Sequence, residues 1–360
     1  MQDREGLKSL LLKQHEMYPK MQIPDMVKLI YQNEFAGGHL IANEDDCLKR
    51  LTEELHGLEK YSQNATFPAA FEEIGNGLCR LNLVAVQSGN IDITTVNRFF
   101  INTANSYSGS IQSFEEKLKV FKQCCKDKAL PYQLGEVEAY LNDYQRQGYP
   151  PVSHSKNYRA LYSPAYRIVK VEYLNYFKIF HKIDSLMKSH ESIQVAIDGN
   201  SCAGKSTLAA LIGNVYDCNI FHMDNFFLRP ELKTKERLKE IGGNVDYVRF
   251  RQEVVAGLQS GREFKYQIYN CKKMSLDQYI SVIPKKLNIV EGVYSMHPTL
   301  LNNYNLKVFL YVDEKKQIER ILKRDGAIMQ KKFLSQWIPL ENQYFEKMRI
   351  KEKSDLVFKG

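Results

Sequence analysis

No stretch of the 360-residue sequence is apolar for long enough to cross a bilayer, so a helical membrane protein is not expected. The chain opens Met1-Gln2-Asp3-Arg4-Glu5, mixed in charge where a secretory leader would place a basic and then an apolar segment, and no such leader is read there. Its seven cysteines follow no regular spacing, and the adjacent pair Cys124-Cys125 is not spaced for metal binding. That usage suits a reducing, cytoplasmic setting better than a disulfide framework. A long basic run is also missing. The formal net charge of +8 is modest for the length and the lysines are interleaved with acids, so anionic ligands are weakly favoured and nucleic acid is not the expected partner. Internal repeats and low-complexity tracts are absent. What remains is a soluble, globular composition, 44% hydrophobic and 26% charged, in a chain too long for one ordinary core; two domains are expected.

The first half has helical periodicity. Leu7, Leu10 and Leu11 begin one amphipathic stretch, Met26, Val27, Leu29 and Ile30 a second, and Leu48, Leu51, Leu55 and Leu58 a third. Pro19 and Pro24 separate the first two, and Gly37-Gly38 ends the second. Further helices are expected over 94–105, 113–125 and 134–147, the first two with Thr94 and Ser113 as caps. Residues 81–86 read equally well as strand or helix. Gly148-Tyr149-Pro150-Pro151 breaks the pattern. The expected organisation is a mostly α-helical domain over 1–150, an aromatic and basic connector with a linking helix over 151–190, and an α/β domain over 191–360. In the connector, Ser153 to Arg159 and Tyr166-Arg167 combine hydroxyls, arginines and aromatics, and are read as an interface between the domains. His39, after two glycines, is read as a loop histidine.

From Ile193 the rhythm changes to short apolar runs at 193–197, 219–222, 287–290, 306–312 and 356–358, with helical stretches between them. That alternation predicts a parallel, doubly wound sheet whose ligands bind at the carboxyl ends of its strands. Directly after the first run stands Gly199-Asn200-Ser201-Cys202-Ala203-Gly204-Lys205-Ser206, which satisfies G-x-x-x-x-G-K-[ST] at every defined position. An apolar helix is expected to follow over 205–215. In such a strand, loop and helix the glycines let consecutive backbone N–H groups turn toward phosphate oxygens, and the helix adds the positive end of its dipole. Residues 199–207 are therefore the expected nucleotide cradle, Thr207 closing it, with Lys205 bridging the β- and γ-phosphates and Ser206 ligating Mg2+. Past the second strand, Asp224 is placed to take a hydroxyl proton or hold magnesium. Glu291 ends the strand 287–290 and is assigned, with Ser206, to the metal.

Through these segments residues 193–360 resemble the uridine kinase and phosphoribulokinase family of phosphate-loop kinases. Asp224-Asn225-Phe226-Phe227 resembles the family's Asp-x-Phe-Tyr, whose Asp is the catalytic base, and Glu291-Gly292 its Glu-Gly. Gly243-Asn244-Val245-Asp246-Tyr247 resembles the substrate-side segment, which assigns Asn244 and Asp246 to the acceptor. Residues 264–270, ending in Tyr269-Asn270, resemble the segment that touches the nucleoside; here Asn270 and Cys271 stand where uridine kinases carry Asp and Phe, so uridine is not carried over as the acceptor. Residues 318–325 resemble the lid helix, which assigns Arg320 and Arg324 to the triphosphate, the latter neutralising charge during transfer. The same arginines, among Glu314 and Glu319, also read as a solvated helix face. The resemblance implies an ATP- and Mg2+-dependent kinase acting on a small-molecule hydroxyl acceptor, a nucleoside or another metabolite. Its rivals are a phosphate-loop ATPase serving as a regulatory or nucleic-acid-associated switch, and a kinase for polynucleotide ends, which would need a basic groove. The sequence leaves a homo-oligomer open.

Overall fold

The computed structural model describes residues 2–38, 40–58, 70–88 and 91–360; His39 lies outside them. The chain forms two compact units, Met1–Phe177 and Lys178–Gly360. Among the described residues no helix is long and apolar enough to cross a membrane.

The first unit is mostly helical. Its long helices are α1 (Gln2–Met17), α2 (Ile23–Phe35), α3 (Glu44–Leu58), α5 (Ile93–Ser106), α6 (Ile111–Lys126) and α7 (Leu134–Arg146). Helix α2 buries Met26, Val27, Leu29 and Ile30, the apolar face that its spacing predicts. Pro24 sits in its first turn, where the missing N–H costs no bond. Two caps differ from expectation: Asp92 accepts from Thr94 N at the start of α5, and Ser110 from Ser113 N at the start of α6. Each true cap lies two or three residues before the residue named from sequence, because the capping side chain must reach forward to an N–H that the helix itself leaves free.

Among the described residues three strands complete this unit: β1 (Phe71–Gly75), β2 (Leu78–Asn82) and β3 (Tyr166–Lys170), antiparallel in the order β1-β2-β3. The ambiguous residues 81–86 are both things in turn, because β2 ends at Asn82 and a short helix α4 (Leu83–Ser88) starts at once. Asn82 Oδ1 accepts from Val84 N at that switch. The stretch read as an interdomain connector differs most. Ser155 caps the short helix α8 (Lys156–Tyr162), β3 pairs with β2, and Tyr158 and Ile168 are buried in the core that holds Met26, Phe114 and Phe121. Residues 151–177 thus belong to the first unit, since their aromatic side chains find their burial there. The expected linking helix is two, α9 (Val171–Asn175) and α10 (Phe177–Ser189), broken at Tyr176.

The second unit is α/β. Its sheet consists of β4 (Ile193–Gly199), β5 (Cys218–His222), β8 (Leu287–Glu291), β9 (Leu306–Tyr311) and β10 (Leu356–Lys359), all parallel, in the order β10-β9-β4-β8-β5. Every residue of β8 is buried, as a central strand covered on both faces requires. Helix α11 (Lys205–Gly213) follows β4. Between β5 and β8 lie the short helices α12 (Lys235–Lys239), α13 (Tyr247–Phe250) and α14 (Ala256–Ser260), then an antiparallel hairpin, β6 (Phe264–Asn270) with β7 (Ser275–Val282), that the sequence reading did not foresee. Helix α15 (Glu314–Lys332) is broken at Gly326, whose φ of 79° is not helical, and α16 (Ile338–Lys347) precedes β10.

Candidate active site

The carboxyl ends of β4, β5 and β8 carry the site. Parallel register pairs Ile197 with Glu291 and His222 with Glu291, so the carboxyl ends of the three strands share one edge. Residues 199–204 turn between β4 and α11. Gly199 has φ of 142°, and a Cβ there would meet the carbonyl oxygen of Leu310, so only glycine lets the loop leave the sheet this close to β9. Gly204 has φ of 96°, with open space where a side chain would stand. The first-turn N–H groups of α11 have no partner within that helix and carry the positive end of its dipole.

The loop carbonyls are held by cations. Lys205 is buried, and its Nζ donates to Gly199 O and Asn200 O, both at 2.9 Å. Arg320 Nη1 donates to Cys202 O at 3.0 Å. Asn200 N reaches Leu310 O at 3.2 Å, and Ala203 N bonds Asn200 O at 3.1 Å. Ser201 donates its backbone N–H to Glu341 Oε2 at 3.0 Å and its hydroxyl to Oε1 of the same carboxylate.

Beside the loop, Ser206 Oγ donates to Glu291 Oε1 at 3.1 Å, and His222 Nδ1 lies 2.5 Å from the same oxygen. No described residue bonds Glu291 Oε2. The hydrogen bond to Glu291 pushes the His222 pKa up despite partial desolvation. A hydroxyl and a buried carboxylate are hard oxygen donors, the set that magnesium takes when phosphates and water complete its shell. Among the described residues no group of three or more His, Cys, Asp or Glu forms a metal cage.

Asp224 follows β5 in a short 3-10 turn, Met223–Phe226. The residue is exposed and its carboxylate makes no hydrogen bond with a described residue. Surrounding protein desolvates it and raises its pKa, with Glu291 adding to the shift and Lys205, His222 and Arg324 opposing it. A carboxylate whose pKa is raised is the stronger base.

The other assigned residues are placed as follows. Arg324 pairs with Asp325 at 2.8 Å, a bond that raises its pKa, and lies over the Phe333 ring at 5.9 Å. Arg320, expected on the triphosphate, is engaged with the loop backbone. Tyr269 is buried near the end of β6, edge-on to Phe227 at 6.4 Å, with Lys233 Nζ 5.7 Å from its ring. The Asn244 carbonyl accepts from Leu228 N. Asp246, expected on the acceptor, has its carboxylate at the start of α13, accepting from Arg249 N at 3.0 Å as that helix's cap.

Three residues of the site carried no signal that sequence reasoning used. Asp198, the last side chain of β4 before the loop, is fully buried; it accepts from Gly199 N, Met296 N and Tyr344 Oη, and burial raises its pKa to about 6 against those bonds. His222 stands two residues before Asp224, and that proximity in sequence is its one signal. Glu341 is buried, which raises its pKa, and it lies 140 positions from Ser201. Nothing in a single sequence connects those two.

No protein-family model matches the chain, and no curated protein does. Solved structures are similar to its C-terminal half. One is described as a "Possible Uridine Kinase" from Bacillus stearothermophilus, 18% identical over 50% of this chain and 99% of that one, with a TM-score of 0.37. Shikimate kinase from Acinetobacter baumannii is 17% identical over 48% of this chain and 87% of its own, at 0.27, and shikimate kinase from Bacteroides thetaiotaomicron 15% identical over 46% and 86%, at 0.25. The likeness is distant and concerns the fold of about half of this chain.

Exchanging Glu291 for Gln keeps the side-chain shape but removes a charge from the Ser206 and His222 cluster. The magnesium concentration for half-maximal rate is expected to rise about tenfold in Glu291→Gln, the equivalent of roughly 1.4 kcal/mol, while nucleotide affinity changes little. A magnesium titration of the rate checks this; an unchanged midpoint would make Glu291 a structural strand end.

Proposed function

We propose that the second unit is a phosphotransferase that moves the γ-phosphoryl group of ATP to the hydroxyl of a small molecule. The observation that carries this reading is the meeting, at one sheet edge, of a complete phosphate loop with the carboxylate of an exposed residue, Asp224, that is raised in pKa and electrostatically coupled to Lys205. The residues fit a triphosphate: a loop whose glycines leave open space over Gly204, a helix N-terminus directed at the same edge, and an ammonium at the loop's base. Ser206 and Glu291 would hold magnesium, which supplies charge neutralisation when bound. Residues 199–207 position the phosphates, Asp224 accepts the acceptor's hydroxyl proton, and the acceptor oxygen forms its bond to phosphorus as the bond to the ADP oxygen breaks. Arg324, in the lid segment broken at Gly326, supports the developing charge.

Acceptor chemistry is read from the residues around Cys271, whose thiol pKa is raised by burial, with Asp224 adding to the shift and Lys233 opposing it. With Phe227 and Tyr269 they make a small, partly aromatic surface suited to a hydroxylated metabolite. A screen of nucleosides, sugars and vitamins for ADP release tests the reading. At least one acceptor is expected to raise ADP formation well above the background without acceptor; a uniform background across a broad panel, with undiminished ATP hydrolysis, would favour the switch.

A further inference from the structure

The first unit contains a cavity of about 580 Å3 that the kinase chemistry does not use, within the size range of small-molecule sites, roughly 300–1,000 Å3. Its wall is built by α2, residues 36–37 and 40–43, α3, Phe100 of α5, residues 151–154, Pro164 and the start of β3. The polar lining is preorganised. Tyr166 Oη accepts from Gln32 Nε2 at 3.0 Å and meets His154 Nε2 at 2.6 Å. From behind, Asp25 holds His154 Nδ1 at 3.0 Å, and the Arg80 guanidinium lies 4.7 Å over the Tyr166 ring. Gln32 and His154 are both buried, and burial lowers the His154 pKa, so the imidazole is neutral near pH 7.

The charges around this lining do not cancel. Lys28, Arg50 and Arg167 face Asp46 and Glu54, three cations against two carboxylates. Arg167 is paired with Glu54 at 2.6 Å and lies over the Phe100 ring at 5.5 Å. Lys28 Nζ donates to Val152 O at 2.8 Å and has no carboxylate in ion-pair range, since Asp25 is taken by His154 and Ser155. Burial, with Arg80 adding, lowers the Lys28 pKa. Arg50 makes no ion pair or hydrogen bond among the described residues. Two cations without a carboxylate partner, beside a neutral hydrogen-bonding surface and an aromatic wall, match a dianion attached to a flat body. We propose that the cavity binds a small phosphorylated ring compound, with Lys28 and Arg50 on the phosphate and the ring against Phe100.

Pyridoxal 5′-phosphate is a direct probe, because its aldehyde condenses with an unprotonated lysine, releasing water, and borohydride reduces the imine to a stable secondary amine. On the full chain, with labelled peptides read by mass spectrometry, Lys28 is expected to react at least about tenfold faster with pyridoxal 5′-phosphate than with pyridoxal, the equivalent of one ion pair of roughly 1.4 kcal/mol. Arg50→Ala, at an exposed position, should remove most of that advantage, and phenyl phosphate should protect Lys28. Equal rates for the two aldehydes, a Lys28 rate no greater than that of exposed Lys13, or absence of protection would each overturn the proposal. Label on Lys205 is counted on a different peptide, so failure at the phosphate loop and failure here are read separately.

Discussion

Asp224→Asn is expected to lower acceptor phosphorylation by about 10²–10⁴-fold, the usual contribution of a positioned general base, while ATP binding stays near normal. The substitution preserves the side-chain shape and removes only the ability to take a proton. Asp224 bonds no described residue, so the fold loses no contact with it, and residues 199–207 make no hydrogen bond to its side chain. The same protein separates the kinase from the switch. A switch uses a positioned water and a moving segment, and its acceptor-independent hydrolysis does not need this carboxylate as the acceptor's base. Nucleotide affinity, acceptor phosphorylation and background hydrolysis should therefore be measured side by side. Full acceptor phosphorylation by Asp224→Asn would sink the proposed mechanism.

Lys205→Ala is expected to reduce phosphoryl transfer by at least about 10²–10³-fold, by comparison with removing one preorganised donor to transition-state charge. The ammonium is buried and rests on Gly199 O and Asn200 O, so it stands at the base of the loop before any nucleotide arrives. Its loss leaves those two carbonyls short of a donor, but β4 remains paired with β8 and β9 through backbone bonds. Far-ultraviolet circular dichroism should therefore be unchanged as the rate falls. Turnover like that of the wild type, in a folded Lys205→Ala protein, would mean that the nucleotide binds elsewhere.

The second unit was the more legible in sequence. Five apolar runs became five parallel strands, with ends moved by one or two residues, because a strand buried on both faces announces itself through continuous Val, Ile, Leu and Phe. The β6–β7 hairpin escaped because its residues are largely half-exposed and polar, which leaves no such run. In the first unit the helices followed their apolar spacing, but residues 151–177 were misplaced: an aromatic and basic segment has the composition of an interface, and composition does not say which surface it packs on.

Taken alone, the sequence determined the phosphate loop with its flanking strand and helix, the alternation that builds the α/β sheet, and the position of Asp224 after β5. Each depends on residues within a few places of one another, where backbone conformation and side-chain spacing are locally dictated. Only the tertiary structure decided that His222, Glu291 and Ser206 share one carboxylate oxygen, that Glu341 holds Ser201, that Asp246 caps a helix, and that Lys28, Arg50 and Tyr166 line one cavity. Those meetings follow from strand order, register and helix packing, which bring together residues far apart in the chain and are set by burial of the whole core.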